Sequence, residues 1–108
     1  MDFSLSEDQE AVRDLARQIF SGHVTHERLL ALTRSGEWFD MDLWSELAKA
    51  NLPGVALPES VGGSGFGPVE LCLMLEEVGR HVAPVPLLAT SVLGAAPIAE
   101  FGSDAQRS

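Results

Sequence analysis

Basic residues are scarce in this chain. Its 108 residues include 7 Lys and Arg against 16 Asp and Glu, which gives a formal net charge of −9. Proteins that bind DNA or RNA need Lys and Arg to neutralise phosphates, and anionic membrane surfaces attract the same residues. The charge balance therefore argues against a nucleic-acid partner and against binding to an anionic membrane surface.

Cysteine is almost absent, because Cys72 is the only one. A single cysteine excludes an internal disulfide and an all-cysteine metal site, and it fits a cytosolic protein. Its position within the apolar run 71–75 predicts that Cys72 is a small buried residue. The three histidines, His23, His26 and His81, lack enough partner ligands to close a metal site, so no metal ligand is assigned.

No hydrophobic run is long enough to suggest a membrane span. The uncharged stretch Val82–Ala99 is interrupted by three prolines and by Gly94, and it is shorter than the roughly 20 residues that a spanning helix needs. The N-terminus is acidic from Asp2 onward and lacks the basic start and apolar run of a secretory signal. The stretch is predicted to be a buried helix whose ends are defined by prolines.

Hydrophobic spacing predicts helices and no strands. Polar caps, glycines and prolines divide the chain into about five helices: about Ser6–Ser21 with Gly22 as its stop, Thr25–Thr33, a third that starts at Asp40 or Asp42, a fourth from Pro68, and a fifth from Pro86 to about Ala95. The predicted fold class is therefore all-α, an orthogonal or up-down bundle, with residues 1–108 as one domain.

The same spacing predicts which helix faces are buried. The expected stripes are Leu43, Trp44, Leu47 and Ala48 on the third helix, and Leu71, Leu75, Val78 and Val82 on the fourth. Pro97 is expected to break the fifth helix and open a short turn of Ile98–Phe101. Ser103–Gln106 is a second capping box after the one at Ser6–Gln9. Because so short a helix is not stable alone, we expect this sequence to be part of a longer chain.

The glycine-rich segment Leu57–Gly67 raises the question of a phosphate-binding loop. After Gly63 and Gly65, the third glycine of a dinucleotide fingerprint would fall on Pro68, and the Gly-Lys-Ser/Thr ending of a P-loop is missing. The segment is predicted instead to be a backbone turn that lets the fourth helix fold back over the third.

Two other sets of residues invite a functional interpretation. Glu76 and Glu77 point about 100° apart on a helix, so both cannot face one substrate, and one is expected to pair with Arg80. The small and hydroxyl residues of 89–94 either pack closely on another helix, with hydroxyls bonded back to the i−4 carbonyl, or form a wall of an apolar ligand cavity. On these residues alone, close packing is favoured.

The order of several short motifs resembles the N-terminal domain of the acyl-CoA dehydrogenase family. The motifs are Phe3-x-Leu5-Ser6-Glu7-Asp8-Gln9, Trp44-x-x-Leu47-Ala48, Pro58-Glu59-x-x-Gly62-Gly63-x-Gly65, Glu76-Glu77-x-Gly79-Arg80 and Phe101-Gly102-Ser103-Asp104-x-Gln106-Arg107. Each motif is weak by itself, and the ordered set covers nearly the whole chain.

The resemblance implies a larger α/β/α flavoenzyme that uses FAD to oxidise the Cα–Cβ bond of an acyl-CoA thioester to a trans-2-enoyl-CoA. In this family a glutamate removes the α-proton and flavin N5 takes the β-hydride. That glutamate and most FAD contacts belong to a central β domain, a C-terminal helical domain and a neighbouring subunit, which residues 1–108 do not include. No catalytic or cofactor-binding residue is therefore assigned, and this domain alone is expected to be inactive. The resemblance also implies a homo- or hetero-tetramer whose acceptor is electron-transfer flavoprotein or a similar protein.

The resemblance places Val85, Pro86, Ala89, Thr90 and Leu93 beside the acyl tail, as one wall of its pocket. Pro84-x-Pro86-Leu87-Leu88 resembles members that act on bulky acyl groups, including steroid side chains, some of which are heteromeric with one subunit lacking the glutamate. The alternatives that stay open are a stand-alone helical interaction module, an acyl-CoA oxidase relative and a non-catalytic subunit.

Overall fold

The computed structural model describes all residues from Met1 to Ser108 and contains helices without any strand. The α-helices are α1 (Glu7–His23), α2 (His26–Ser35), α3 (Met41–Lys49), α4 (Pro68–His81), α5 (Ala96–Phe101) and α6 (Asp104–Arg107), with a 3₁₀ turn at Glu59–Val61 and a π-helical segment at Leu88–Ala95. The predicted all-α class is confirmed. No helix of the structure is both long and apolar enough to cross a membrane.

Local side-chain caps start most of these helices where the sequence predicts. The Ser6 hydroxyl accepts the Gln9 N–H at 3.2 Å, and the Gln9 side chain accepts the Ser6 N–H at 2.9 Å, which completes the first capping box. The second box, at Ser103 and Gln106, is also formed. Asp40 rather than Asp42 caps α3, because its carboxylate accepts the Leu43 N–H at 3.1 Å. These caps satisfy amide donors that a helix leaves unpaired in its first turn.

A small apolar core lies mainly between α1 and α4, with α3 packed on α1. Its members are Val12, Ala16, Phe20, Leu43, Leu47, Leu52, Val55, Met74, Ala83 and Leu87. Helix α4 packs chiefly on α1 and much less on α3, so the prediction that α4 folds back over α3 is wrong. The long connection through residues 50–67 carries the chain past α3 and returns it against α1.

Several predicted boundaries and faces differ from the structure. Helix α1 continues through Gly22 to His23, because a glycine within a helix lowers its stability without ending it. Ala48 is exposed and Val82 is 70% exposed, so neither belongs to a buried stripe. Cys72 is exposed rather than buried. Leu71, Leu75 and Val78 are half-buried beside the most buried positions of α4, which are Glu70, Met74 and Glu77.

The glycine-rich loop is held by its own backbone hydrogen bonds. Ser64, Gly65 and Phe66 donate their amides to the carbonyls of Gly54, Leu57 and Val55, at 2.9–3.0 Å. A Cβ on Gly63 would lie 2.2 Å from the Leu57 carbonyl oxygen, so only glycine fits there. The predicted backbone turn is confirmed, and these amides are used within the protein rather than left free to bind a phosphate.

The molecule is a flat slab with a modest core. Its principal extents are 40 × 39 × 22 Å, and 14 of its 108 residues are buried. A slab about 22 Å thick corresponds to roughly two helix diameters. Most helices therefore present a face to the surface, and the residues on those faces are available for contacts outside the chain.

Candidate functional site

The predicted acyl wall begins where α4 ends and the chain turns. Val82 adopts a left-handed conformation, with φ 52° and ψ 44°, which is costly for a β-branched residue. The Ala83 amide then donates to the Val78 carbonyl at 2.9 Å, and the Asp40 amide donates to the Pro84 carbonyl at 2.9 Å. These hydrogen bonds connect the start of the predicted wall to the C-terminal end of α4 and to the N-terminal cap of α3.

From Leu87 the chain is helical to Phe101, and its central part, Leu88–Ala95, has π rather than α hydrogen bonding. The Ala96 amide accordingly donates to the carbonyl of Ser91, five residues earlier. Pro97 does not break this helix, so that prediction is wrong. Proline lacks an amide hydrogen, so the continuous helix lacks one backbone hydrogen bond at Pro97, directly after the change from π to α hydrogen bonding. Segments of π-helix occur often at functional sites.

Part of the predicted set lies at the surface of the molecule. Ala89, Thr90 and Leu93 are all exposed, Leu93 to 69%. Pro86 is half-buried at the start of the helix, and Val85 is half-buried and packs against the core. Three of the five predicted residues are thus open to contacts outside the chain, while Val85 packs partly inward.

Two further residues of this region bear on the predicted wall. Leu88 is 54% exposed and extends the apolar face beside Ala89. Ser91 is 3% exposed, and its hydroxyl donates to the Pro53 carbonyl at 2.7 Å. The expectation that such hydroxyls bond back to the i−4 carbonyl is therefore wrong for Ser91. Its acceptor lies 38 positions earlier in the chain, which local sequence cannot reveal.

A buried carboxylate links α1 to α4. Glu77 is 1% exposed, and its carboxylate accepts the Arg17 side chain at 2.7 Å and 3.2 Å. Arg80 and His81 also lie 3.5 Å from it. The hydrogen bonds from Arg17 hold the pKa of the Glu77 carboxyl below its usual value. Glu77 therefore stays ionised and engaged, which suits a structural ion pair rather than a general acid or base.

Its neighbour Glu76 behaves as the sequence predicts. It is exposed and pairs with Arg80 at 3.0 Å, one helical turn away. The two adjacent glutamates thus have separate environments, and neither lies beside the predicted wall residues in sequence or on the same helix. They do not form an acid/base pair.

A second charged cluster joins α2 to the start of α3. Arg28 donates to the Asp40 carboxylate at 2.8 Å and to Asp42 at 3.1 Å. The hydrogen bond from Arg28 lowers the pKa of Asp40, and the same contacts raise the pKa of the guanidinium. Because Asp40 also bonds Pro84 through its amide, this cluster helps to position the segment that leads into the wall.

The histidines do not gather around a common centre. His81 lies 3.2 Å from the Ser21 hydroxyl and 3.0 Å from the Glu77 carbonyl, with its ring tilted against Phe20. His23 and His26 lie at the facing ends of α1 and α2. No group of three His, Cys, Asp or Glu side chains is placed to hold a metal ion.

The residues present do not by themselves form a flavin site. A dinucleotide pyrophosphate is usually held by cations or by free amides. Six of the seven basic side chains are already paired with carboxylates, namely Arg13, Arg17, Arg28, Lys49, Arg80 and Arg107. The amides of the glycine-rich loop are bonded within the chain. Any flavin would have to be held mainly by other parts of a larger protein.

The structure is thus an all-helical slab in which several residues of the uncharged segment 82–99 are exposed. Residues 6–108 match the family described as acyl-CoA dehydrogenase, N-terminal domain. The chain therefore belongs to the acyl-CoA dehydrogenase family, and the predicted resemblance is confirmed.

The similar proteins are much longer than this chain. Acyl-CoA dehydrogenase FadE27 of Mycobacterium tuberculosis is 37% identical over 103 residues, which is 95% of this chain and 28% of FadE27. A variant of the Tcur3481–Tcur3483 steroid ACAD superimposes with a TM-score of 0.89 at 54% identity, over 96% of this chain and 28% of that one. The ChsE4–ChsE5 complex from Mycobacterium tuberculosis gives a TM-score of 0.93 at 35% identity, over 100% of this chain and 30% of that one.

Proposed function

We propose that this chain is the N-terminal domain of an FAD-dependent acyl-CoA dehydrogenase, which oxidises the Cα–Cβ bond of an acyl-CoA to a trans-2-enoyl-CoA. The observation that carries the proposal is the match to the family over residues 6–108. When bound, FAD supplies the two-electron oxidation, and no residue of this chain takes part in that step. The enzyme would act in the cytoplasm, where a lone cysteine stays reduced, and would pass its electrons to electron-transfer flavoprotein or a similar acceptor.

The contribution of this domain is one wall of the acyl pocket. Ala89, Thr90 and Leu93 supply an exposed, uncharged surface, and Val85 and Pro86 set its starting position. Ligand pockets are lined mostly by apolar side chains with a few polar groups, and Thr90 is the one hydroxyl exposed on this face. The small side chain of Ala89 leaves space for a bulky acyl group.

The similar structures favour a steroid acyl-CoA and a two-component enzyme. One is named a steroid ACAD of two components, and the other is named as a complex of two proteins. We propose by analogy that this protein assembles with a second subunit, as a tetramer, and that the catalytic glutamate can lie in either component. A non-catalytic subunit is therefore the second candidate for this chain.

The test is a visible spectrum of the full-length protein, purified alone and together with its partner subunit. We expect a flavin absorption band that is bleached anaerobically by a steroid acyl-CoA. Bleaching only in the two-component sample would favour the heteromeric form. A protein without flavin in both samples would contradict the proposal and favour a helical interaction module.

The wall assignment predicts a change in substrate preference. Ala89→Phe in the full-length enzyme should lower kcat/KM for bulky acyl-CoAs relative to short ones by about tenfold or more, because the ring fills the space of the acyl tail. Flavin content should not change. Ala48→Phe, at an exposed position on α3, serves as the control and should leave the ratio unaltered. Equal kinetics of the Ala89 variant on short and bulky substrates would remove Ala89 from the wall.

A further inference from the structure

Ser91 is the one buried residue of the π-helical segment. Its hydroxyl is committed to the Pro53 carbonyl at 2.7 Å, and its own carbonyl accepts the Ala96 amide. A buried polar side chain without its partner is unfavourable, so this hydrogen bond selects one rotation of the helix. Ser91 therefore connects the inner side of the wall helix to a distant part of the chain.

The acceptor of this bond is itself fixed. Pro53 follows α3 and lies between Leu52 and Val55, which are both members of the core, at 3% and 2% exposure. The Leu52 amide donates to the Leu47 carbonyl at 3.1 Å, and the Val55 amide donates to the Leu52 carbonyl at 3.1 Å. The Pro53 carbonyl is thus held by the core, and the Ser91 hydroxyl anchors the wall helix to it.

The π hydrogen bonding links the Ser91–Pro53 hydrogen bond to the orientation of the outer face of the helix. A π segment is less favourable than α-helix and persists where other contacts hold it. If Leu88–Ala95 returned to α hydrogen bonding, the helix would shift by one residue, which is a rotation of about 100°. Ala89 and Leu93 would still share one side of the helix, since residues four apart do so in an α-helix, but that side would be turned relative to the core and would lose the orientation it has in this structure.

We propose that Ser91 is a positioning residue for acyl specificity: it holds Leu88–Ala95 in π geometry through Pro53 and thereby keeps Ala89, Thr90 and Leu93 on the acyl-facing wall. This inference rests on the proposed function. It adds to that function a residue that does not contact the substrate, and a hydrogen bond between residues 38 positions apart in the chain. Short acyl groups, which do not extend to the wall, are expected to be insensitive to it.

The test compares Ser91→Ala, Ser91→Thr and Ser45→Ala in the full-length enzyme with its partner subunit. Ser45 is an exposed serine on α3 whose side chain makes no hydrogen bond, so it is a matched control. For each protein, kcat and KM are measured on a short acyl-CoA and on a bulky one. Hydrogen exchange of the amides in 87–101 is measured in parallel.

Ser91→Ala should raise KM for the bulky substrate by about tenfold, the loss expected when a buried hydrogen bond is broken, while the short substrate changes less than about twofold. Exchange in 87–101 should become faster. Ser91→Thr keeps the hydroxyl and should restore both values, and Ser45→Ala should change neither. An equal effect on both substrates, or no effect on either, would overturn the proposal.

A second variant covers the case in which Ser91→Ala does not fold. A Cβ on Gly94 would lie 3.3 Å from the Ala89 carbonyl oxygen, so Gly94→Ala disturbs the same turn and leaves the Ser91 hydroxyl in place. It should also raise KM selectively for the bulky substrate. An unchanged ratio with Gly94→Ala would contradict the role of π geometry. A wild-type enzyme that oxidises no acyl-CoA would instead contradict the proposed function, and the exchange data would still report on the anchor.

Discussion

Among single residues, Glu77 illustrates how one buried charge can fix the rotation of a helix. Its carboxylate is almost fully covered, while Arg17 on α1 remains 42% exposed. Removing a carboxylate from water is unfavourable unless strong donors replace the water. Arg17, with Arg80 and His81 nearby, supplies those donors. The pair therefore specifies which face of α4 meets α1.

Glu77→Gln should lower the free energy of unfolding by about 1.5–3 kcal/mol, the range for hydrogen bonds to charged groups. Denaturant unfolding followed by tryptophan fluorescence measures the change. Glu76→Gln is the matched control, since its partner Arg80 is exposed, and it should cost less than about 1 kcal/mol. Equal effects of the two substitutions would show that the Arg17 contact contributes no more than a surface pair.

The same pair predicts a dependence of stability on pH. The Arg17 hydrogen bonds depress the pKa of Glu77 below its ordinary 4.5 in the folded state. The contribution of Glu77 is therefore fully present above the unfolded-state pKa and is lost as pH falls through the folded-state pKa. The stability difference between wild type and Glu77→Gln should stay constant from about pH 7 to 6 and shrink below about pH 4.5. A difference that grows on acidification would have the wrong sign for this assignment.

Hydrophobic spacing found part of the buried face of α4, because Leu71, Leu75 and Val78 pack against the core. The helix carries apolar residues nearly all around, so Leu71, Leu75 and Val78 formed a reasonable stripe, and Cys72 was expected inside. The rotation was decided by a contact between Arg17 and Glu77, which are 60 residues apart. Such pairing is information about tertiary structure that hydrophobic spacing does not contain.

For whole elements, the starts of helices were easier to predict than their interiors. The capping boxes at Ser6 and Ser103 and the start of α4 at Pro68 depend on neighbouring residues, and all three are confirmed. The π segment and the continuation through Pro97 were not predicted, and the contact of Ser91 with Pro53, 38 positions earlier, is not visible in local sequence. Ala89, Thr90 and Leu93 are exposed, and their place beside an acyl group stays a prediction.

The glycine-rich loop gives a prediction for an element as a whole. Gly63→Ala should destabilise the protein by about 3 kcal/mol or more, because the new methyl group would overlap the Leu57 carbonyl, which is part of the backbone and has little freedom to move. Thermal or denaturant unfolding measures the effect. Gly22→Ala is the control: it lies in α1 with no atom within 4 Å of its new Cβ, and it should stabilise by about 0.5–1 kcal/mol. Destabilisation by both substitutions would show that the effect does not depend on the overlap with the Leu57 carbonyl.

At the scale of the whole molecule, the buried apolar core is small and many large apolar side chains are exposed. Thirteen large hydrophobic side chains are exposed, including Phe3, Trp38, Val82, Leu93 and Phe101. An apolar groove of about 470 Å³ also runs between α2 and the end of α4, with Leu29, Trp38 and Val82 in its lining. Contiguous exposed apolar surface marks sites that contact other protein or ligand, and this groove is the candidate for such a site.

The isolated 108-residue chain should therefore self-associate in a salt-dependent way. Its net charge of −9 opposes association at low ionic strength, and salt screens that repulsion without weakening apolar contacts. Sedimentation velocity should show larger species when NaCl is raised from about 0.05 M to 0.5 M. Dissociation on adding salt would mean that ion pairs, rather than apolar faces, hold the copies together.

The flatness of the molecule has a consequence for how substrate preference can change. In a slab two helices thick, Ala89, Thr90 and Leu93 are exposed on one helical segment, while the Arg17–Glu77 pair and the core join other helices of the slab. Such a domain can form one side of a pocket but does not enclose a pocket by itself. On the proposed wall, side chains can be exchanged for larger or smaller ones while the core and the Arg17–Glu77 pair stay the same.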